Sequence, residues 1–568
     1  MLYTHFRINK YKAIKESSLP ILSEPIPIIG INESGKSSAL EAMAHLDFRN
    51  DHIAEQKAWK FVNRYLPSEN EFSVSAEVRF ERPELQPFLD TLSEEEKNQV
   101  EEVLNPEGME INRVFRKDAN PSLKAYRING VENALIESLC RALISRLPKI
   151  FYFDNFLENQ FPNKVNFPDE YFSDPNCQLN EHQTIVEGMF NDAGQNLKGF
   201  LNETDQNTKD TVISEVNSHV TKKLIEDWKK MNFKNQDPEL GFVADIKIDL
   251  QQNRTENHSL DVNIIEEFKD KTSETKKTSM PLEERSLGFR WFFNFVSKKN
   301  FSAKGEDRFI YLFDEPGSYL HNGAQSVLLK AICDLAATHP VIYTTHSEFL
   351  LDPEIININN IKVAEKNDRE IRLIPLAQTK NKKNEGALST LYNALRMKIP
   401  ISSTLSQKVI VTEGITDFYF WKMLIKKIVF LPGFGAGKNE YLISIAIGTS
   451  KKYLALFDGD DSGSKEIERY KKYFGDDESI NWKQYENAND QQIKLEQILS
   501  TVDQRRLLQA TTASDLKKAI TSLYFSTGQN DYWANIDDET KANIKKNTSL
   551  IKSMLRISST YFNYGIGI

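Results

Sequence analysis

The sequence predicts an α/β protein built from two successive series of strands and helices. In the first series, an apolar run at Ile26–Ile29 leads through a glycine-rich turn into a helix-forming segment, Ser38–Leu46. Two further apolar runs, Phe309–Phe313 and Val341–Thr344, flank a helical pattern. Short apolar runs separated by helices are typical of a parallel sheet covered on both faces. A second series of the same kind begins at Lys408.

The first series also contains a long helical interruption. The stretch Asn180–Trp228 is helical in pattern, polar and free of proline, which indicates an inserted helical hairpin or a dimerisation arm. Lys269–Ser279 is rich in Lys, Thr, Ser and Glu, which predicts a mobile loop. The other strands and the helix that we predict in this series are Ser73–Phe80, Lys149–Phe153, Phe242–Leu250, Ser259–Ile265 and the helix Ala324–Ala336.

The second series predicts a separate domain with a helical tail. It is preceded by a basic, Asn-rich loop, Thr379–Glu385, and by a helical stretch, Leu388–Met397. We therefore expect a domain boundary near Pro400. From Ser500 onward the pattern is mostly helical and Lys-rich. The predicted βα elements are Lys408–Thr412, Phe418–Ile428, Tyr441–Ile447 and Tyr453–Phe457.

Composition limits the classes of protein that this chain can belong to. Of its 568 residues, 40% are hydrophobic and 27% are charged, which is ordinary for a globular protein and argues against bulk disorder. The formal net charge of −9 means that nucleic acid would have to be bound through local patches or metal ions. Three cysteines without metal-ligand spacing fit a reducing compartment. With no signal peptide and no long apolar run, we expect a soluble cytoplasmic protein that does not enter a membrane.

A phosphate-binding motif follows the first apolar run. Gly30-Ile-Asn-Glu-Ser-Gly35-Lys36-Ser37 matches G-x-x-x-x-G-K-[ST] and lies between a strand and a helix, as that motif requires. Its glycines let main-chain N–H groups surround the phosphates of ATP. Lys36 is expected to reach the β- and γ-phosphates, and Ser37 to bind Mg²⁺. The predicted nucleotide-binding residues of the loop are Gly30, Asn32, Gly35, Lys36, Ser37 and Ser38.

Polar residues at the ends of two later strands support the same interpretation. Asp314 and Glu315 follow the run at Phe309–Phe313. We expect Asp314 to hold Mg²⁺ through water and Glu315 to polarise the attacking water. His346 ends the next strand, on the ligand side of an open α/β sheet, and is predicted to sense the γ-phosphate. The alternative for His346 is a purely structural capping role.

These motifs resemble those of the ATP-binding-cassette (ABC) ATPases of the DNA-repair type. Ser286-Leu-Gly288 corresponds to a reduced form of their signature motif, although Phe289 and Arg290 follow where the family has a glycine and a glutamine. His346 corresponds to their switch histidine. In that family two ATP molecules lie between two subunits, with the P-loop of one facing the signature motif of the other. The resemblance therefore implies a homodimer in which Ser286 and Gly288 contact the nucleotide.

Acidic residues end two strands of the second series. Glu413 follows the strand Lys408–Thr412, and Asp417 lies at the start of the next helix. Asp458 and Asp460 follow the strand that ends at Phe457. Neighbouring carboxylates repel each other, so such a group is costly without a cation, and oxygen ligands suit Mg²⁺ or Mn²⁺. Glu496 offers one more carboxylate. The alternative for the second group is a polar turn held by Asx hydrogen bonds.

The acidic pattern resembles the Toprim fold, which carries Glu-Gly on one strand and D-x-D-x-x-G on another. Glu413, Asp417, Asp458 and Asp460 match those positions, and Glu496 is a looser match. The resemblance implies that Glu413, Asp458 and Asp460 are catalytic. A Toprim nuclease usually also needs a basic group near the phosphate, and the sequence offers three candidates: Lys545, Lys546 and Lys552.

The order of these parts resembles that of the OLD (overcoming lysogenisation defect) nucleases. It is an α/β organisation with an ABC-type P-loop ATPase domain that carries an inserted helical dimerisation arm, followed by a C-terminal Toprim Rossmann-like domain. That family includes the Gabija nuclease subunit and retron-associated nucleases, and its members work alone, with a helicase, or with a reverse transcriptase and its RNA. The predicted parts are 1–175 and 236–399 for the ATPase, 176–235 for the arm and 400–568 for the Toprim part.

The resemblance implies an ATP-regulated, divalent-metal-dependent DNA endonuclease of anti-phage defence. Two alternatives stay open. One is a Toprim nuclease that acts on RNA, such as tRNA, with the same site chemistry. The other is an ATP-gated, DNA-binding scaffold without nuclease activity.

Overall fold

The computed structural model describes most of the chain as two compact units. The described residues are 1–50, 71–105, 108–116, 124–153, 161–174, 177, 179–232, 245–252, 258–269, 275–285, 287–301, 308–318, 320, 322–367, 370–379, 408–433, 435, 439–450 and 452–562. Their first unit falls within Met1–Ile356, Asn360–Pro375 and Thr379–Leu388, and their second within Asn357–Asn359, Leu376–Gln378 and Ser389–Ile568. The predicted boundary near Pro400, the helix Leu388–Met397 and, apart from Thr379, the loop before it lie outside the described residues. The division into four parts stays a prediction.

The first unit is organised by one large mixed sheet. Among the described residues, eleven strands pair in the order β6-β5-β4-β1-β2-β15-β14-β3-β13-β12-β7. The strands of the unit are β1 (Leu2–Tyr11), β2 (Ile14–Pro20), β3 (Ile26–Ile29), β4 (Glu71–Arg79), β5 (Met109–Arg116), β6 (Lys124–Ile128), β7 (Lys149–Phe153), β8 (Lys164–Asn166), β9 (Asp245–Gln252), β10 (Ser259–Lys269), β11 (Thr275–Pro281), β12 (Phe309–Phe313), β13 (Val341–Thr344), β14 (Lys362–Asn367) and β15 (Glu370–Pro375).

The parallel part of the sheet is the part that the apolar runs predict. Strands β14, β3, β13, β12 and β7 pair parallel to one another. Every residue of β3, β12 and β13 is buried, as expected for strands covered on both faces. Since the strands run in one direction, the segments that follow β3, β12 and β13 emerge at one edge of the sheet.

Ten helices of the first unit lie in the described ranges, and three of them fall in the helical interruption. That interruption, predicted over Asn180–Trp228, contains α6, α7 and α8. The helices are α1 (Lys36–Ala44), α2 (Gln86–Leu89), α3 (Glu94–Val103), α4 (Ala134–Arg146), α5 (Glu170–Ser173), α6 (Glu181–Asp192), α7 (Leu197–Asn202), α8 (Gln206–Asn232), α9 (Leu287–Phe301) and α10 (Asn322–Ala336).

A smaller sheet in the first unit corrects one prediction. Strand β10 pairs antiparallel with β8, β9 and β11. The prediction of a mobile loop over Lys269–Ser279 is wrong for Lys269, which ends β10, and for Thr275–Ser279, which belong to β11 and pair with β10, with Glu266 opposite Thr278. Pairing with β10 satisfies the main-chain hydrogen bonds of this polar segment. Composition alone does not reveal such a partner strand, and residues 270–274 lie outside the described ranges.

The second unit is a four-stranded parallel sheet with helices. Its strands pair in the order β17-β16-β18-β19. The structure confirms the predicted βα series and the helical tail. The segment Tyr441–Ile447 is part of a helix, and the sheet also contains a strand, β17, that was not predicted. The elements are β16 (Lys408–Thr412), β17 (Val429–Pro432), β18 (Lys452–Phe457), β19 (Trp482–Gln484), α11 (Ile415–Leu424), α12 (Glu440–Thr449), α13 (Asp461–Phe474), α14 (Thr501–Thr511), α15 (Leu516–Phe525), α16 (Gln529–Ala534) and α17 (Asp538–Leu555).

Two glycines in the helices of the first unit offer a matched test of packing. A Cβ atom on Gly188 of α6 would collide with the main-chain carbonyl of Phe301 at the end of α9, whereas one on Gly199 of α7 would meet nothing closer than 3.4 Å. Alanine is favoured over glycine in a helix by about 1 kcal/mol, but overpacking costs about 1–3 kcal/mol. The balance of these two terms predicts that Gly188→Ala lowers the free energy of unfolding by up to about 2 kcal/mol. Gly199→Ala should leave it unchanged or raise it slightly, and denaturant unfolding of both variants measures the difference. Equal effects of the two substitutions would contradict the close approach of α6 and α9.

Candidate functional site

The loop between β3 and α1 has the backbone that a phosphate site requires. Gly35 precedes α1 in the left-handed conformation, with φ 84°, and a Cβ atom there would lie 2.5 Å from Cδ1 of Ile371. Only glycine fits this turn without strain. Helix α1 begins without a side-chain cap and without an acidic residue in its first turn, so its N–H groups are open to an anion.

Lys36 lies buried under this loop. Its side chain is 6% exposed, and Nζ lies 3.3 Å from the carbonyl oxygen of Gly30 and 3.2 Å from that of Ile31. Nζ is also 2.6 Å from Nε2 of His346 and 4.0 Å from Oε1 of Glu315. Burial lowers the pKa of Lys36, while the negative charges of Glu315 and Asp314 act in the opposite direction. The ammonium group of Lys36 is thus surrounded by hydrogen-bond acceptors beneath the phosphate-binding loop.

Ser37 and Asp314 form the pair that the sequence predicts for a divalent cation. Ser37 Oγ donates to Oδ1 of Asp314 at 3.0 Å, although the two residues are 277 positions apart. Thr344, at the end of β13, donates to the same oxygen at 2.6 Å. Parallel pairing of β3, β13 and β12 explains the meeting, because all three residues lie where these strands end or just beyond. A hydroxyl beside a carboxylate suits the hard oxygen preference of Mg²⁺.

Glu315 and His346 meet at the same edge. The main-chain N–H of His346 donates to Oε2 of Glu315 at 3.1 Å, and its Nε2 lies 3.4 Å from Oε1. Burial raises the pKa of Glu315, and burial together with Lys36 lowers the pKa of His346. The Nε2 of a neutral imidazole can accept a hydrogen bond from the Lys36 ammonium. Glu315 has φ 48°, a strained conformation for a residue with a side chain, and such strain is concentrated at functional sites.

These residues fit a nucleoside triphosphate with a divalent cation. The loop supplies open N–H groups and an ammonium, and the strand ends supply a hydroxyl, a carboxylate and a candidate base. Buried Ser34 Oγ has no hydrogen-bond partner within the described part of the chain. Asn32 is exposed on the loop and Ser38 is half-buried in the first turn of α1. Ser286 lies outside the described residues, and Gly288 is the second residue of α9, so the predicted signature motif stays a prediction.

Two residues of this site were missed by the sequence analysis. Thr344 links Asp314 to the main chain, because its Oγ1 also accepts from the N–H of Glu315 at 2.9 Å. Gln325 of α10 contacts the loop that follows Glu315 and also the residue after His346. Thr344 stood inside the Thr-Thr-His-Ser run, so a hydroxyl at a strand end could have indicated it. Nothing in the sequence indicates Gln325.

The second unit brings the predicted carboxylates to the ends of β16 and β18. These strands are parallel neighbours, with Thr412 opposite Leu456. Glu413 and Asp458 therefore lie side by side, and Oε2 of Glu413 accepts from the main-chain N–H of Asp458 at 2.9 Å. Burial raises the pKa of Glu413 to about 7, with the charges of Asp458 and Asp460 adding to the effect.

Asp417 lies behind these two residues in the core. It is 7% exposed, and its Oδ1 accepts from the hydroxyl of Tyr485 at 2.8 Å. Burial raises the pKa of Asp417, and the nearby charges of Asp458 and Glu413 raise it further. Asp458 Oδ1 in turn accepts from the N–H of Leu495 at 2.8 Å, and burial raises its pKa too.

Asp460 and Glu496 are balanced by lysines instead. Asp460 caps α13 through two N–H groups, and Lys494 Nζ lies 3.0 Å from its Oδ2. The N–H of Gly463 and the Lys494 ammonium lower the pKa of Asp460. Lys517 Nζ lies 3.4 Å from Oε1 of Glu496. Within the described ranges, no group of three or more His, Cys, Asp or Glu side chains has the arrangement of a metal site.

The lysines near the carboxylates differ from those that the sequence suggested. Lys546 pairs with Asp490 and Glu486, and the Lys552 ammonium lies 4.7 Å from the ring centre of Phe562. Lys517 and Lys494 are the basic side chains whose charges act on the cluster. Lys517 stands far along the chain from the acidic motifs, and although Lys494 lies two residues before Glu496, nothing in the spacing showed that it would pair with Asp460.

Comparison with known proteins identifies the first unit. A family model described as AAA ATPase domain matches residues 1–351. The uncharacterized protein MJECL43 of Methanocaldococcus jannaschii is 28% identical over 92 residues, which are 16% of this chain and only 24% of that protein.

No helix among the described residues is both long and apolar enough to cross a membrane.

Solved structures of SMC heads share a distant likeness. The Smc head bound to the C-winged helix domain of ScpA is 13% identical, with 67% of this chain and 100% of that chain covered and a TM-score of 0.40. The SMC head domain from Thermotoga maritima is 11% identical, with 66% of this chain and 99% of that chain covered and a TM-score of 0.33.

The match to the AAA ATPase domain model spans more than half of the chain and includes the phosphate-binding loop, Asp314, Glu315 and His346. This chain belongs to the AAA ATPase domain family, and its first unit is an ATP-binding ATPase.

Proposed function

We propose that this protein is an ATP-regulated, divalent-metal-dependent DNA endonuclease that acts in defence against phage DNA, with a Toprim-type second unit. One observation carries the proposal. Glu413 and Asp458 end neighbouring parallel strands of the second unit, with Asp417 buried behind them. In Glu413 and in Asp458, one carboxylate oxygen accepts a hydrogen bond from a main-chain N–H. These hydrogen bonds offset only part of the free-energy cost of burying like charges together.

The chemistry of these donors is that of a Mg²⁺ or Mn²⁺ site. Glu413, Asp417, Asp458, Asp460 and Glu496 would hold the ion through hard carboxylate oxygens. When bound there, a divalent ion supplies an activated water and stabilises the leaving oxygen of a phosphodiester. Lys517 and Lys494 provide positive charge beside the acidic residues and would contact the phosphate backbone.

ATP would regulate this activity without taking part in cleavage. In the first unit Lys36 would hold the β- and γ-phosphates, Glu315 would orient the attacking water, and His346 would report on the γ-phosphate. We further propose an ABC-type homodimer in which Ser286 and Gly288 of one subunit face the nucleotide of the other, with the helices of 176–235 as the dimerisation arm. A helicase, or a reverse transcriptase with its RNA, is the kind of defence partner that the OLD resemblance implies.

The ATP site can be tested by separating binding from turnover. We expect Lys36→Ala to abolish ATP binding, because it removes the buried ammonium. Glu315→Gln should keep affinity within about threefold while turnover falls at least about a hundredfold. Nucleotide affinity and phosphate release measure the two effects. Normal ATP binding by Lys36→Ala would show that the nucleotide binds elsewhere.

Assembly can be tested independently of activity. Because the proposed signature residues act across a subunit interface, we expect a homodimer or larger assembly that is favoured by ATP. Glu315→Gln, which should trap the bound nucleotide, is expected to enrich it further. Light scattering at micromolar concentration gives the mass directly. A monomer of 65.4 kDa under all of these conditions would contradict the ABC-type arrangement.

The nuclease proposal depends on the carboxylates at the strand ends. We expect Glu413→Gln and Asp458→Asn each to lower plasmid nicking with Mg²⁺ or Mn²⁺ by at least about a thousandfold, since each removes a metal ligand. Both variants should bind ATP normally. Glu468→Gln serves as a control, because that exposed carboxylate of α13 pairs only with Lys471 in the described structure and lies outside the cluster.

The outcomes separate the alternatives. Retained nicking in either cluster variant would remove the proposed active site. A wild-type protein that cuts RNA and never DNA would leave the site standing and change the substrate. ATP-dependent DNA binding that survives metal removal, with no cleavage of either nucleic acid, would indicate the scaffold.

A further inference from the structure

Gln325 is a buried side chain that contacts two loops of the ATPase site. It lies near the start of α10 and is 7% exposed. Its Nε2 lies 2.9 Å from the carbonyl oxygen of Gly317 and 3.1 Å from that of Leu320. Its Oε1 accepts from Oγ of Ser347 at 2.5 Å. One amide therefore joins the loop after Glu315 to the residue after His346.

The orientation of this amide follows from its partners. The carbonyl oxygens of Gly317 and Leu320 can only accept, so the group that faces them must be the NH₂. Ser347 then faces the amide oxygen, to which its hydroxyl can donate. Glutamate has the same shape but would direct a second acceptor at the two carbonyls. Among side chains of this length, glutamine alone supplies two donors and one acceptor in this arrangement.

The contacts of Gln325 close a ring around the reacting groups. His346 donates through its main-chain N–H to Oε2 of Glu315. The chain runs from Glu315 to Gly317, whose carbonyl is held by Gln325, and Gln325 returns through Ser347 to His346. The loop inside this ring is tight, because Glu315 and Gly317 both have positive φ and Ser318 Oγ donates back to the carbonyl oxygen of Glu315 at 2.6 Å.

We propose that Gln325 is a positioning residue for ATP hydrolysis, which holds Glu315 and His346 in mutual register by tying Gly317 and Leu320 to Ser347. Its hydrogen bonds in the described structure go to Gly317, Leu320 and Ser347 and none goes to Lys36 or the phosphate-binding loop, so it should act on turnover and not on affinity. Its role rests on the ATPase family and on geometry, and it is independent of the proposed nuclease activity. A misplacement of about 1 Å at catalytic groups can cost a hundredfold in rate, so a side chain that fixes two of them has a measurable effect.

The test compares turnover with affinity in the full-length protein. We expect Gln325→Glu to lower kcat for ATP at least about tenfold while the Kd for ATP stays within about threefold. Ser347→Ala should lower kcat in the same way, and Ser347→Thr, which keeps the hydroxyl, should restore most of it. Because both residues act through one ring, the double variant Gln325→Glu/Ser347→Ala should lose no more than the more damaging single change.

Gln504 provides a matched control. Its Nε2 donates to the carbonyl oxygens of Glu496 and Leu499 at 3.1 and 2.9 Å, which is the same kind of double contact in the second unit. Gln504→Glu should leave kcat for ATP unchanged, and thermal melts of all variants show whether folding is affected. If Gln325→Glu does not fold, Ser347→Ala and Ser347→Thr still decide the question. Unchanged kcat in folded Gln325→Glu or in Ser347→Ala, losses that multiply in the double variant, or a Kd that weakens as much as kcat falls would overturn the proposal.

Discussion

The parallel pairing of β3, β13 and β12 is the constraint on which the ATPase site depends. These three strands lie next to each other with Ile26 opposite Ile342 and Ile342 opposite Leu312. The segments that follow them must therefore emerge together, although they are about 280 and 310 residues apart along the chain. The phosphate-binding loop, the two carboxylates and the histidine are neighbours for this reason alone. In the second unit, β16 and β18 repeat the same arrangement with Glu413 and Asp458.

The two sites differ in how their charges are balanced. At the ATPase site a buried ammonium stands beside Glu315 and Asp314, so opposite charges offset part of the cost of burial. At the second site the deeply placed groups are all acidic, and the pKa values of Glu413, Asp417 and Asp458 are raised. Lys494 and Lys517 pair with the outer acids, Asp460 and Glu496, and the charge of Lys517 offsets only part of the rise at Asp458 and Glu413. The second arrangement would therefore gain more from the proposed cation than the first, whose acidic groups already have a buried ammonium beside them.

The sequence predicted those features that a local pattern carries. Continuous apolar runs located β3, β12 and β13 correctly, and the glycine and lysine spacing located the loop before α1. Gln325, which joins the segments after β12 and β13, escaped prediction because its partners lie on two separate loops and no periodicity marks it. Strand β11 escaped because polar residues pair as well as apolar ones when a partner strand is present. The lysines beside the carboxylates were missed for a different reason, since only tertiary contacts bring Lys494 to Asp460 and Lys517 to Glu496.

The contacts of Lys36 suggest how nucleotide binding is linked to the rest of the ATPase site. Its ammonium donates to two loop carbonyls and lies 2.6 Å from Nε2 of His346. A phosphate is a stronger acceptor than any of these groups, so we expect that a nucleotide bound as proposed would draw the ammonium away from the imidazole. His346 is then left with Glu315 and with the ring that passes through Ser347 and Gln325. Because hydrogen bonds connect His346 through Ser347 and Gln325 to Gly317 and Leu320, an adjustment of His346 would also act on the segment after Glu315. The exchange of one lysine contact would thereby be coupled to the segment that follows Glu315.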